Sequence, residues 1–239
     1  METVLDLGNL NEVGKSFQHY GYVRIRHAVS MEDVIRLRQE VAHVLTITSQ
    51  LPNGLVWFSP AVDGGQIIQR ISRINVYSRF IHDFGNTHPT LLTVTKILLG
   101  ADQVRFADGS EGSEGSVLVI KDPANAGEHK ELRWHRDAKF TQHLPINPFV
   151  NLGVYLDDSG AGLGGLVVLP TSHRVSLFDP DLEETTKYHS GGVCVEASTC
   201  DIVIHSSEIW HCSRAHAVAT QMRRVLYFNF HAVAGQLAG

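Results

Sequence analysis

The stretch Ser116-Val-Leu-Val-Ile-Lys121 is a short apolar run, and it is the first of six such runs that turn residues separate in the second half of the chain. The other five are Val150–Leu156, Gly165–Leu169, Gly192–Val195, Asp201–His205 and Val225–Phe230. Short strands at fairly regular spacing are typical of a β-sandwich or barrel. We therefore predict an antiparallel double-stranded β-helix, the jelly-roll arrangement, over about residues 101–235.

The first hundred residues carry helical patterns instead. Ser30–Asp33 forms an S-x-x-D helix start, and apolar residues then recur at helical spacing, which predicts a helix over about residues 31–46. The segment Gly21–Ile25 alternates apolar and polar side chains, which predicts a short strand before that helix. A further helix is predicted over His88–Leu99, and Gly100 suits its end.

Residues 50–65 contain Pro52, Gly54, Pro60 and two further glycines, so we predict a loop there. The chain has no internal repeat, low-complexity tract or linker. We predict one domain over residues 1–239, with a helical layer over about residues 1–100 and a jelly-roll core over about residues 101–235. The expected fold class is mainly β with α, a cupin-like jelly roll with packed N-terminal helices.

Composition favours a globular protein that handles small molecules. Hydrophobic residues make up 43% of the chain and charged residues 19%, so a sizeable core is expected. The net charge of −5 gives no general attraction to nucleic acid or to an anionic membrane. We therefore expect a small-molecule partner, no nucleic acid and no membrane. The sequence leaves the oligomeric state open.

Three cysteines, an odd number without a C-x-x-C pair, argue against a disulfide framework and fit a reducing compartment. The first residues lack the basic and apolar segments of a signal peptide. No apolar run reaches the roughly 18 residues that span a bilayer. These features predict a soluble, cytoplasmic protein.

The stretch Arg133–Phe140 places His135 and Asp137 two residues apart. On a strand, residues i and i+2 point to the same face, so both side chains could enter a barrel interior. Two imidazoles and one carboxylate form the facial set that holds Fe(II) in non-haem oxygenases. His211 is the best candidate for the second histidine, and His216 competes with it. The H-x-D pair alone is a weak signal, because the chain has 14 histidines.

Further segments, in a fixed order, strengthen this interpretation. They are Val117–Pro123 before the W-H-x-D motif at Trp134–Asp137, Asn151–Asp158 before Gly164–Arg174, and Asp201–His205 before His211–Ser213 and Arg223–Leu226. Together with the opening Phe17–Val23, they resemble the phytanoyl-CoA dioxygenase family of Fe(II)- and 2-oxoglutarate-dependent oxygenases. The resemblance covers nearly the whole chain, and several ordered motifs are far more specific than one triplet.

The resemblance implies roles for five residues. It assigns the iron to His135, Asp137 and His211, and the distal carboxylate of 2-oxoglutarate to Arg223, with Ser213 as a hydrogen-bonding helper. A dicarboxylate suits the two-donor fork of an arginine. The implied cofactors are Fe(II), the cosubstrate 2-oxoglutarate and O2.

The chain departs from the family pattern near this ending. The spacing between the second histidine and the arginine, 223 − 211 = 12, is about one residue longer than usual, and Cys200 and Cys212 stand where glycines are common. Neighbouring strand residues point to opposite faces, so only one of Arg223 and Arg224 can reach the cosubstrate. Alignment favours Arg223, and Arg224 is the alternative.

The resemblance also implies a reaction class. Halogenating relatives have a small residue at the carboxylate position, whereas this chain has Asp137. We therefore expect hydroxylation or another C–H oxidation of a small metabolite, possible in natural-product biosynthesis, with release of succinate and CO2. The alternatives are a non-catalytic jelly-roll protein and a cupin-like metal or metabolite-binding protein that does not use 2-oxoglutarate. Substrate identity and the choice among hydroxylation, desaturation, cyclisation and epimerisation stay open.

Four residues are candidates for contact with the substrate. Arg70 and Arg73 are interpreted either as solvated helix charges or as cations that face the pocket and bind a carboxylate or phosphate. Lys139 would share the strand face of the two ligands at the W-H-x-D motif, so it admits the same interpretation. Trp134 is predicted to belong to the core or the pocket wall.

Overall fold

A computed structural model of the chain describes residues 4–110, 112–125, 131–174, 189–216 and 221–233. The helices are α1 (Leu10–Tyr20), α2 (Met31–Thr46), α3 (Arg79–Thr87), α4 (Pro89–Leu99) and α5 (Asp137–Thr141). The strands are β1 (Val4–Leu5), β2 (Tyr22–Ile25), β3 (Val56–Pro60), β4 (Gln66–Ser72), β5 (Val104–Phe106), β6 (Val117–Lys121), β7 (Leu132–His135), β8 (Phe149–Tyr155), β9 (Leu166–Val168), β10 (Val193–Cys194), β11 (Ile202–Ser206), β12 (His211–Ser213) and β13 (Arg223–Ala232).

These strands form two sheets. The large sheet has the order β1-β2-β11-β8-β13-β6-β4-β3, with β5 paired to β13, and the small sheet has the order β10-β9-β12-β7. Every pairing is antiparallel except that of β1 with β2. The arrangement is the predicted jelly roll with helices packed on it, so the fold-class prediction is confirmed.

Local sequence signals explain the two predicted helices. Ser30 and Asp33 form a reciprocal capping box at the start of α2, and the backbone N–H of Asp33 donates to Ser30 Oγ at 3.0 Å. Pro89 occupies the first turn of α4, where its missing N–H has no cost. Gly100 ends α4 with a φ of 58°, a conformation that glycine adopts without strain.

Alternate side chains of the large sheet point to its two opposite faces. On β13, Leu226 and Phe228 pack with Leu37 of α2 and Val94 of α4 in the main core cluster. Val225 precedes Leu226 and points to the opposite face of the sheet, where it belongs to a second cluster that fills the space between the two sheets. The helices therefore cover the outer face, and the inner face lines the barrel interior.

The loop prediction for residues 50–65 is wrong in part. Val56–Pro60 forms a strand that pairs with Gln66–Ser72, and this hairpin extends the large sheet at one edge. The error has a physical cause, since Pro60 ends the strand at a sheet edge, where a missing N–H is tolerated. The turn residues Pro52, Gly54 and Gly64 flank the hairpin strands and do not interrupt them.

The prediction of a strand through the whole W-H-x-D motif is also wrong. The strand stops at His135, and Asp137 begins the short helix α5. Strand parity therefore does not apply to Lys139, which is exposed on that helix. Arg70 and Arg73 are not helix residues either, because Arg70 lies on β4 and Arg73 directly follows it in a left-handed conformation with φ 55°.

Candidate active site

The small sheet brings the candidate metal ligands together. His135 at the end of β7 lies directly opposite His211 at the start of β12, and their ring centroids are 4.1 Å apart. Asp137 Oδ1 lies 3.5 Å from His135 Nε2 and 3.7 Å from His211 Nε2. One donor atom from each residue fits within 4.8 Å of the others. This arrangement can hold a metal ion on one face and leave the other face open.

Backbone carbonyls orient both imidazoles. His135 Nδ1 lies 2.7 Å from the carbonyl oxygen of Arg133, and His211 Nδ1 lies 3.1 Å from that of Ile209. Since a carbonyl only accepts, each Nδ1 carries the proton and each Nε2 lone pair is directed to the cluster. Such outer hydrogen bonds fix the tautomer and ring orientation of metal-binding histidines.

Asn151 on β8 holds the carboxylate of Asp137, a role that no sequence motif indicated. Its Nδ2 donates to Asp137 Oδ2 at 3.1 Å, which leaves Oδ1 facing the two histidines. Burial would raise the pKa of Asp137, but the charges and hydrogen bonds of His211, His135 and His205 outweigh burial and lower it. Burial lowers the pKa of His211 well below its ordinary value. A carboxylate with a neutral imidazole is the form that binds a metal ion.

The competing histidine lies elsewhere. His216 forms an isolated bridge with Leu163 and is outside the metal-ligand cluster. His205 on β11 is buried with its ring 4.4 Å from that of His211, so it packs against a candidate ligand. Among the described residues, the only cluster that fits a metal ion is His135, Asp137 and His211.

The anion candidate Arg223 lies inside the barrel on the large sheet. Only 1% of it is exposed, and it shares the inward parity of Val225 on β13. Its Nη1 donates to the carbonyl oxygen of Gly164 at 2.7 Å and to Ser159 Oγ at 3.4 Å. Its buried Nε meets no acceptor in the described part of the chain. The guanidinium therefore has donor capacity left for a ligand.

Ser213 and Arg224 lie in different environments. Ser213 is buried on β12 and pairs with inward-facing Leu166, so it faces the barrel interior like His211. Arg224 points to the opposite face and makes two hydrogen bonds to Asp157, at 2.8 and 2.9 Å. Asp157 therefore holds the guanidinium of Arg224, and the geometry favours Arg223 as the anion anchor.

Three further inward side chains were not identified from the sequence. Lys121 on β6 is the direct cross-strand partner of Arg223 and is 8% exposed. Tyr155 and Tyr227 come from β8 and β13, and burial raises the pKa of both hydroxyls, so they stay protonated. The hydroxyls of Tyr155 and Tyr227 interact with each other in the barrel interior. Strand parity, counted from the apolar residues, could have identified all three.

The four substrate candidates are dispersed. Arg70 forms an ion pair with Glu114, stacks over Trp57 at 5.0 Å from the ring centroid and lies near enough to His135 to affect its pKa. Arg73 lines a separate surface groove with Arg79. Lys139 is exposed.

Trp134 is buried on the side of β7 opposite to His135. It packs with Val167, Trp210 and Cys212 in a cluster of its own. Of the described contacts of the four substrate candidates, the electrostatic interaction of Arg70 with His135 is the one that supports a place beside the metal-ligand cluster.

Comparison with known proteins gives a consistent set of relatives. The model of the family described as Phytanoyl-CoA dioxygenase (PhyH) matches residues 17–225. A probable alpha-ketoglutarate-dependent hypophosphite dioxygenase of Stutzerimonas stutzeri is 21% identical over 180 residues, which are 74% of this chain and 58% of that protein. The chain thus spans less than two thirds of this curated relative.

Solved structures match over most of the chain. EvdMO1 matches with a TM-score of 0.73 and 19% identity, over 95% of this chain and 50% of that one. EctD from S. alaskensis, solved with 2-oxoglutarate and 5-hydroxyectoine, matches with a TM-score of 0.71 and 20% identity, over 92% of this chain and 75% of that one. At these identities the likeness concerns the fold. No helix in the described ranges is long and apolar enough to cross a membrane.

Proposed function

Because the chain belongs to the phytanoyl-CoA dioxygenase family, we propose that it is a mononuclear non-haem Fe(II)- and 2-oxoglutarate-dependent dioxygenase. It oxidises a C–H bond of a small metabolite, most simply by hydroxylation. The observation that carries this proposal is the cluster of His135, Asp137 and His211, whose donor atoms lie within 4.8 Å of one another. Two neutral imidazoles and one carboxylate suit Fe(II).

The opposite part of the barrel interior fits the cosubstrate. Arg223 Nε is buried and meets no acceptor in the described residues, so it can bind a carboxylate. A buried arginine matches the distal carboxylate of 2-oxoglutarate, and Ser213 can add a hydrogen bond. When bound, iron and 2-oxoglutarate would supply the oxidation, in which the substrate, O2 and 2-oxoglutarate are converted to the hydroxylated substrate, succinate and CO2.

The chain's own residues bind and orient in this scheme. His135, Asp137 and His211 fix the metal on one face, and Asn151 keeps Asp137 Oδ1 turned toward the histidines. Arg223 sets the direction in which the cosubstrate lies across the barrel. Buried aliphatic neighbours such as Val225 and Val168 keep water out.

The substrate belongs to the class of small molecules, and Arg70 is our candidate for an anionic group on it. The EctD structure was solved with 5-hydroxyectoine, and the curated relative is described as a probable hypophosphite dioxygenase, which supports a small partner. Three free thiols, at Cys194, Cys200 and Cys212, support a cytoplasmic location.

Anaerobic titration with Fe(II) and then 2-oxoglutarate tests the proposal. We expect the weak visible charge-transfer band of a metal-chelated keto acid in the wild type. The band should be absent in His211→Ala and should need much more 2-oxoglutarate in Arg223→Ala. His216→Ala and Arg224→Ala are the matched controls, and both should behave like the wild type. A folded, iron-loaded wild type without the band would favour a cupin-like protein that does not use 2-oxoglutarate.

A further inference from the structure

Two cations face each other inside the barrel. In the antiparallel ladder between β6 and β13, Lys121 lies directly opposite Arg223. Both are buried, at 8% and 1% exposure. On the same two strands, Ile120 and Leu226 point to the opposite face and belong to the outer core cluster, so the two cations share the inward face. Like charges directly opposite on a sheet destabilise it, and burial increases the cost.

No carboxylate among the described residues hydrogen-bonds to Arg223 to offset this repulsion. Within the described residues its guanidinium donates to two neutral acceptors, the carbonyl oxygen of Gly164 and Ser159 Oγ. Burial and the opposed guanidinium both disfavour the ammonium form of Lys121, and exceptions of this kind to the rules of stability are expected at functional sites. An anion between the two side chains would remove the conflict.

Several charged or titratable groups surround Lys121. Arg223 lies opposite it on β13, and Asp122 and His216 line a small cavity with it. Glu131, in the segment before β7, and Cys212, on β12, also interact with it electrostatically. Burial, and then the charge of Arg223, lower the pKa of Lys121 to about 7, although the charge of Glu131 acts to raise it. Burial raises the pKa of Cys212 to about 12 and lowers that of His216. Near pH 8, Lys121 is therefore largely neutral when the site holds no anion.

We propose that Lys121 is a second anchor for the distal carboxylate of 2-oxoglutarate, beside Arg223, and that it takes up one proton from the solvent when this dianion binds. The inference rests on the proposed function, which supplies the cosubstrate. No covalent bond forms or breaks in this step. A neutral amine, a dianion and one proton give an ammonium group paired with a carboxylate. Cosubstrate affinity consequently depends on pH.

Calorimetry on the Fe(II)-loaded protein without oxygen tests the proton uptake. Titrations with 2-oxoglutarate in two non-phosphate buffers whose ionisation enthalpies differ, HEPES and Tris at pH 8 and MES and bis-Tris at pH 6, give the number of protons exchanged. We expect nearly one proton taken up at pH 8 and little at pH 6. Above pH 7 the Kd for 2-oxoglutarate should rise by up to about tenfold per pH unit until the pKa in the complex is reached.

A second probe and three variants isolate Lys121. Pyruvate keeps the keto acid but lacks the distal carboxylate, so its binding should take up no proton. Lys121→Met should lose the proton uptake and the pH dependence of the Kd, and Lys121→Arg should bind 2-oxoglutarate without pH dependence. His216→Gln, at the neighbouring titratable position, should keep the wild-type behaviour.

The outcomes separate the two proposals. If the iron-loaded wild type binds no 2-oxoglutarate, the proposed function fails and this inference fails with it. If 2-oxoglutarate binds at pH 8 without proton uptake, the inference alone is wrong, whatever the variants do. The same holds if Lys121→Met binds as tightly as the wild type at pH 6.

Discussion

The two ends of the barrel interior are prepared for their ligands in opposite ways. At the metal end, backbone carbonyls accept from Nδ1 of both histidines, and Asn151 donates to Asp137, before any metal arrives. At the other end, Lys121 and Arg223 are opposed like charges. The metal end is therefore a preorganised site, whereas the anion end is stabilised by its ligand. The comparison predicts that variants at the metal end lose binding, and that removing a cation at the anion end gains stability.

The largest expected effect is at the metal end. Asp137→Ala removes the carboxylate that both imidazoles face, so we expect loss of stoichiometric Fe(II) binding. Metal content after gel filtration measures it. Asp63→Asn, at an exposed carboxylate, is the control and should keep full iron. An Asp137→Ala protein that retained one tightly bound iron would remove Asp137 from the ligand set.

Asn151→Ala should have a smaller effect at the same end. The carboxylate loses the hydrogen bond that turns Oδ1 to the histidines, and outer hydrogen bonds of this kind contribute about 10- to 100-fold to metal affinity. Competition with a chelator measures the Fe(II) affinity. Asn229, the cross-strand partner of Asn151, is the matched position, and Asn229→Ala should change the affinity much less. Equal losses in the two variants would contradict a specific role for Asn151.

At the anion end we expect a gain in stability. Lys121 has its pKa lowered to about 7 in the folded protein, so the unfolded chain binds more protons between that value and 10.5. Wild-type stability from this group therefore rises with pH across that window, and the full cost of the buried ammonium is present below about pH 7.

Lys121→Met removes this cost. Its melting temperature should exceed that of the wild type by about 2 °C or more at pH 6.5, which corresponds to roughly 1 kcal/mol for a chain of this size. The difference should shrink as the pH approaches 10. Thermal unfolding at several pH values checks this. A variant that melts below the wild type at pH 6.5 would mean that the lysine is a stabilising core residue.

The smallest effects are expected outside the barrel. Lys139→Ala and Arg73→Ala should keep iron and 2-oxoglutarate affinities within about twofold of the wild type, because Lys139 is exposed and Arg73 lines another groove. The same titrations measure both affinities. A tenfold loss in either variant would show that the active site reaches farther than the cluster around His135.

Local patterns predicted the parts of this molecule that local physics determines. The helix over residues 31–46 follows from its capping box, and the predicted strand over Val150–Leu156 matches β8 closely. The inward orientation of Asn151 could have been predicted from that strand, because its apolar neighbours Val150 and Leu152 face the outer core. Lys121 could have been identified in the same way from the apolar run that it ends.

Other features depend on contacts that are distant in sequence. The pairing of His135 with His211 joins two strands that no local pattern connects. The end of β7 before Asp137 has no breaker residue, so strand parity gave a wrong environment for Lys139. The family resemblance, and not periodicity, selected His211 over His216 and Arg223 over Arg224.

The cross-strand position of the two histidines also concerns folding. His135 and His211 are 211 − 135 = 76 residues apart in the chain but adjacent in one ladder. A one-residue slip of β12 would turn His211 to the opposite face of the sheet and separate the ligands. A metal ion that bridges both strands therefore favours the correct register and closes a long loop, much as a cross-link does. Binding of the ion then adds directly to the free energy of unfolding.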